Sequence, residues 1–139
     1  MLLPDDYVTS GTERLVLYKE LNELTSEEEL AAYRSRLQDR FGPVPPCVDE
    51  LISTITLRRI AKEFGIEKLI LKQGRMVCHL VSNPESPFYS STGFAKLIRY
   101  AQDNPQRVHL KESTERLSLG IDRIPSITAA LEQMQLLTA

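Results

Sequence analysis

The residues able to do chemistry in this 139-residue chain are few and far apart. His79 and His109 lie in short β-branched-rich segments, where such a histidine packs or faces water far more often than it moves protons. Cys47 and Cys78 are lone thiols with no C-x-x-C and no histidine at zinc-ligand spacing, a usage that suits a reducing compartment and argues against a disulfide framework. Cys47 stands at a helix start but has no identifiable basic partner to activate it. Asp5 and Asp6 are neighbouring carboxylates on an extended segment, so they point to opposite sides and do not converge on a metal or a shared proton. Phosphate-loop, dinucleotide and nucleophile-elbow motifs are absent from the sequence. The expectation is a chain without enzymatic activity, cofactor or metal.

Three charges do stand together. In LQDRFGPVPP, Asp39 and Arg40 abut Phe41-Gly42 and a proline cluster, with Arg36 one turn earlier. At ~100° per residue the three fall within a roughly 100° arc beside an apolar stripe of Leu30, Tyr33, Leu37 and Phe41. Gly42 is the expected C-cap and Pro43 the stop. A helix ended so firmly presents a short charged flank, whose chemistry is ionic contact with another protein or plain solvation.

The elements that must hold this flank are legible from periodicity. Residues 1–10 read as an extended leader, with Pro4 fixing one backbone angle and Tyr7-Val8 as an apolar anchor. A first helix, TERLVLYKELNEL, carries Leu17, Leu21 and Leu24 with Tyr18 alongside, and Thr12 is its expected cap. Thr25-x-x-Glu28 and Ser26-x-x-Glu29 both fit a capping box for the helix that ends at Phe41. A third helix, CVDELISTITLRRIAKEF, buries Val48, Leu51, Ile52, Ile55, Ile60, Ala61 and Phe64 and closes at Gly65. Beyond it, IEKLILK and RMVCHLV form a hairpin through Gln73-Gly74, and Ser90 or Ser91 caps TGFAKLIRYAQ. RVHL and RLSLGI form a second hairpin, and Pro125 begins a terminal helix with Ile127, Leu131 and Met134 inward. The expected fold is α+β: an N-terminal helical subdomain followed by a ββαββα antiparallel sheet with helices on one face. The expected organisation is one domain over 1–139, with a helical part at 1–65 and a sheet part at 66–139.

Composition limits the partners. A formal net charge of −2 and a pI near 5.7 leave no overall positive field to gather nucleic acid or an anionic membrane. No apolar run approaches the ~20 residues needed to span a bilayer, and the opening residues lack a secretory pattern, so the expected location is cytoplasmic. An alternative function is a small nucleic-acid-binding module: LRRIAKEFGI sets Ala61 four residues before Gly65, as in a helix-turn-helix, with Arg58, Arg59 and Lys62 nearby. Against it, IEKLILK lacks an N-cap and reads as a strand. Lys96, Arg99 and Arg107 read as a solvated helix face with its loop.

Taken in order, residues 1 to 81 resemble the C-terminal domain of the bacterial transcription-repair coupling factor family, Mfd. The matching features are Pro4-x-x-Tyr7-Val8, Arg14 and Tyr18 one turn apart, Asp39-Arg40-Phe41-Gly42 followed by Pro45, then Leu57-Arg58 and Gly65-Ile66. Residues 82 to 139 match in pattern and length alone. The resemblance implies a non-catalytic regulatory domain of an ATP-driven DNA translocase that removes stalled RNA polymerase and recruits the excision-repair protein UvrA. It implies that the domain packs on a UvrB-like N-terminal module of the same parent and masks the UvrA-binding surface, without itself contacting nucleic acid. It also implies that Asp39 and Arg40 belong to that contact, while Arg36 stands where relatives carry an acidic residue.

Overall fold

The computed structural model describes residues 3–139. The chain folds as α1 (Gly11–Glu23), α2 (Glu27–Phe41), α3 (Pro46–Glu63), β1 (Ile66–Lys72), β2 (Arg75–Leu80), α4 (Thr92–Asp103), β3 (Val108–Glu112), β4 (Leu117–Ile121) and α5 (Ile127–Leu137). A short 3-10 turn, Pro87–Ser90, precedes α4. The fold is α+β, as the residue pattern predicts, and the chain divides into two compact units between Thr56 and Leu57, within the sequence of α3.

The first unit is built from the leader, α1, α2 and the start of α3. Its core gathers Leu3, Val8, Leu17, Leu21, Leu30, Tyr33, Leu37, Val48, Leu51 and Ile55. Three of the four residues of the expected α2 stripe are buried, and Phe41 is half-buried against them. Ser26 accepts a hydrogen bond from the Glu29 amide, so the second of the two candidate boxes supplies the cap. At the first helix the cap is Ser10, not Thr12: its side chain accepts from the Glu13 amide, and the helix starts at Gly11. Both residue types cap well, and position relative to the leader decides between them. The leader is also not extended throughout. The Tyr7 and Val8 amides both donate to the Pro4 carbonyl, closing a turn that drives Val8 into the core. Residues 1 and 2 lie outside the described residues.

The second unit begins at Leu57. Its four strands are antiparallel in the order β1-β2-β4-β3, with Cys78 opposite both Leu69 and Leu119, and Leu110 opposite Leu119. One face of the sheet packs Met76, Cys78, Leu80, Leu119 and Ile121 against Leu97 and Ala101 of α4 and Ala130, Met134 and Leu137 of α5. Helices thus cover one side and leave the other open. Ser126, not Pro125, caps α5, and its buried side is Ala130, Gln133, Met134 and Leu137, displaced from the expected Ile127, Leu131 and Met134. Gln133 is tolerated there because its amide donates to the Tyr100 hydroxyl at 2.7 Å. Since β1 follows Gly65 directly, the Ala61–Gly65 segment joins a helix to a strand and is no helix-turn-helix.

Candidate partner-binding flank

The flank depends on how α2 is ended. Gly42 adopts φ 92° and ψ −170°, a conformation open almost solely to glycine, and its amide donates to the Gln38 carbonyl. The Tyr7 hydroxyl donates to the carbonyls of Gly42 at 2.9 Å and Leu37 at 3.2 Å, satisfying groups that a helix end leaves open. Its ring also lies 5.7 Å from that of Phe41. On the other side Arg14 donates to the Val8 carbonyl at 2.7 Å and ties the leader to α1. Tyr7, Arg14 and Gly42 therefore have local structural reasons to occur together, independent of any partner.

Arg36, Asp39 and Arg40 are all exposed, as three charges beside a buried stripe must be. Their pairing differs. Arg40 forms an ion pair with Glu13 of α1, and its guanidinium stacks 4.9 Å from the Phe41 ring centre. Arg36 pairs with Glu20 of α1 at 2.5 Å and lies 5.8 Å from the Tyr33 ring centre. α1 and α2 run antiparallel, so glutamates seven apart on one meet arginines four apart on the other. Exposed pairs of this kind contribute about 0–1 kcal/mol each. Asp39, by contrast, has no cation or hydrogen-bond partner among the described residues. The two arginines are neutralised from within and the carboxylate between them is left open.

Sequence reading singles out neither Glu13 nor Glu20 as a partner of these arginines. The signal is the seven-residue spacing of the two glutamates, which gains meaning only once α1 is paired with α2. Val16, between the two glutamates in the sequence of α1, is 59% exposed. Nearby, Arg34 grips Asp49 of α3 with bonds of 2.7 and 3.0 Å, and these hydrogen bonds hold the Asp49 carboxyl below its ordinary pKa.

The other candidate residues stay apart. His79 shares a hydrogen bond of 2.9 Å with Ser118, and His109 one of 2.9 Å with Asp122. Cys47 is exposed, whereas burial pushes the Cys78 thiol up to about 12. Among the described residues no group of three or more His, Cys, Asp or Glu is placed to hold a metal, and no helix is long and apolar enough to cross a membrane.

Residues 1–91 match the TRCF domain family. The transcription-repair-coupling factor of Escherichia coli strain K12 is 32% identical over 114 residues, covering 81% of this chain and 9% of the relative. That of Myxococcus xanthus is 42% identical over 81 residues, or 52% of this chain and 7% of the relative. The chain spans about a tenth or less of the length of these curated relatives. A crystal structure of the C-terminal domain of a transcription-repair coupling factor superposes with a TM-score of 0.77 at 14% identity, covering 99% of this chain and 88% of that one.

Proposed function

The chain belongs to the TRCF domain family, and from that premise we propose that it is a non-catalytic, regulatory C-terminal domain of a transcription-repair coupling factor. In this reading the domain packs on a UvrB-like N-terminal module of its parent and masks the surface that UvrA would use. The parent is an ATP-hydrolysing DNA translocase that acts on RNA polymerase in the cytoplasm. Asp39 is the residue that makes the contact, with Arg40 and Arg36 beside it.

The observation that carries the reading is the exposed, unpaired carboxylate of Asp39 on a helix whose end is locked by Gly42 and Tyr7. A side chain held on rigid backbone loses little further freedom when a cation meets it, which favours a directional and still reversible bond. Arg36 stands where the resemblance implies an acidic residue, and its pairing with Glu20 offsets the positive charge it would otherwise present to a basic partner. A clasp favoured by ~3 kcal/mol leaves the open form below about 1%, within reach of an activating ligand that binds the open form better.

The test is Asp39→Arg in the intact parent. UvrA affinity is expected to rise about fivefold or more, the low end of typical coupling energies. The melting temperature of the isolated 139-residue chain should stay unchanged. Unaltered UvrA affinity removes Asp39 from the contact.

A further inference from the structure

Strand register sorts the charges of the second unit in a way that net charge conceals. Side chains alternate across a sheet, so residues facing away from α4 and α5 form rows across all four strands. One row runs Lys68, His79, Ser118, Lys111, and the next runs Ile70, Val77, Gly120, His109. At the near end Lys72 faces Arg75 across the β1-β2 turn, and Arg107 lies beside Asp122. With Arg116, this open face carries six cations: Lys68, Lys72, Arg75, Arg107, Lys111 and Arg116. Its carboxylates are Asp122 and Glu115. A chain of formal charge −2 thus gathers an excess of four positive charges on one side of one sheet.

The surface is concave. A depression of about 510 Å³ is lined by Lys68, Arg75, Lys111 and Arg116 together with both histidines. Its floor is Gly120, and the Arg75 guanidinium lies across the space that a Cβ would fill. Asp122 holds Arg75 at 3.4 Å and His109 at 2.9 Å, while Arg107 donates to the Asp122 and Arg123 carbonyls. Lys68, Lys72, Lys111 and Arg116 have no carboxylate within ion-pair distance among the described residues.

We propose that this open sheet face is a docking surface for the phosphate backbone of duplex nucleic acid. Charge complementarity selects a polyanion. A protein partner would need a buried apolar or aromatic anchor, and among the described residues the face offers only half-buried Ile70 and Val77. A single strand would need rings to stack on, and no Phe or Tyr lies on this face. A duplex asks for neither, since its densely spaced phosphates bind cations without any base being read. At ~4.8 Å between strands the four-stranded face is about 14 Å across, wide enough to meet several phosphates. The proposal departs from the expectation, drawn from net charge and from the family resemblance, that the domain does not contact nucleic acid, and it uses residues of the second unit and none of the Asp39 flank.

The test measures binding of a fluorescein-labelled 20-base-pair duplex of mixed sequence to the 139-residue chain by anisotropy, across a salt series. With about four phosphates neutralised, affinity should fall about 100-fold between 50 and 200 mM salt. The double variant Lys68→Ala/Lys111→Ala should lower the log–log salt slope by about two, because each lysine contributes about one. The same change on the helix layer, Lys96→Ala/Arg99→Ala, should leave the slope alone. Circular dichroism of each variant establishes that it folds. No duplex binding at 50 mM salt overturns the proposal, as does an equal loss from the helix-layer variant. Binding of the matching single strand, or of a polyglutamate peptide, as tightly as the duplex overturns the assignment in favour of that ligand.

Discussion

At the scale of single residues, the flank and the core beneath it meet in Tyr33. Its ring is 1% exposed, and its hydroxyl donates to the Leu17 carbonyl at 2.8 Å, so it joins α2 to α1 directly under the Arg36–Glu20 pair. Burial, with help from Glu20, pushes the phenol up to about 12. In an unfolded chain the phenol ionises near pH ~10, so between these values the native state holds the proton that the unfolded state has lost. Stability is therefore full below pH ~10 and declines as pH rises towards about 12. Tyr33→Phe should cost ~1 kcal/mol at pH 8 and flatten that alkaline decline. Urea denaturation at pH 8 and pH 11 measures both, and an unchanged alkaline slope contradicts the assignment. The same residue shows what spacing conveys: Tyr33 is readable as a stripe position, but its hydroxyl partner sixteen residues away is not.

Among the elements, the helix ends matter most. Gly42 and Gly65 are both readable as stops, yet for different physical reasons that only backbone angles and neighbours distinguish. At Gly42 an added Cβ meets nothing within 4 Å, so an alanine suffers from φ 92° alone. At Gly65, φ is 68° and a Cβ would sit 2.6 Å from the Phe88 ring. Gly42→Ala should thus cost about 1–3 kcal/mol, and Gly65→Ala about 2–4 kcal/mol because overpacking adds to backbone strain. Chemical denaturation of the two variants checks the order, and equal costs would refute it. Helix existence and the hairpins were legible because their periods are strong. Missed were features that depend on a neighbour outside the element: Ser10 over Thr12 as the first cap, Ser126 ahead of α5, and the Pro4–Val8 turn. The arginine–glutamate ladder belongs with them, since neither helix alone reveals it.

For the whole molecule, each unit has its own core, centred on Leu21, Tyr33 and Leu37 in the first and on Met76, Cys78, Leu119 and Met134 in the second. Leu21→Ala, at a fully buried position, should destabilise by about 2–5 kcal/mol. Amide exchange should quicken in α1 and α2 while β2 and β4 keep their protection, because opening follows local packing. Equal loss of protection in the strands would mean that the two cores open together. This scale is also where composition stops informing: a net charge of −2 is a sum over the chain, whereas the open sheet face has a cation-rich lining of its own. Register decides that face, and strand order was beyond the reach of one sequence.

The two cysteines differ sharply in access, Cys47 lying open at the start of α3 and Cys78 sealed in the sheet. A maleimide dye added to the native chain therefore finds a single attachment point, on the N-terminal side, without any residue being replaced. The second sulfur is left as a silent reporter that takes up label only while the sheet is open.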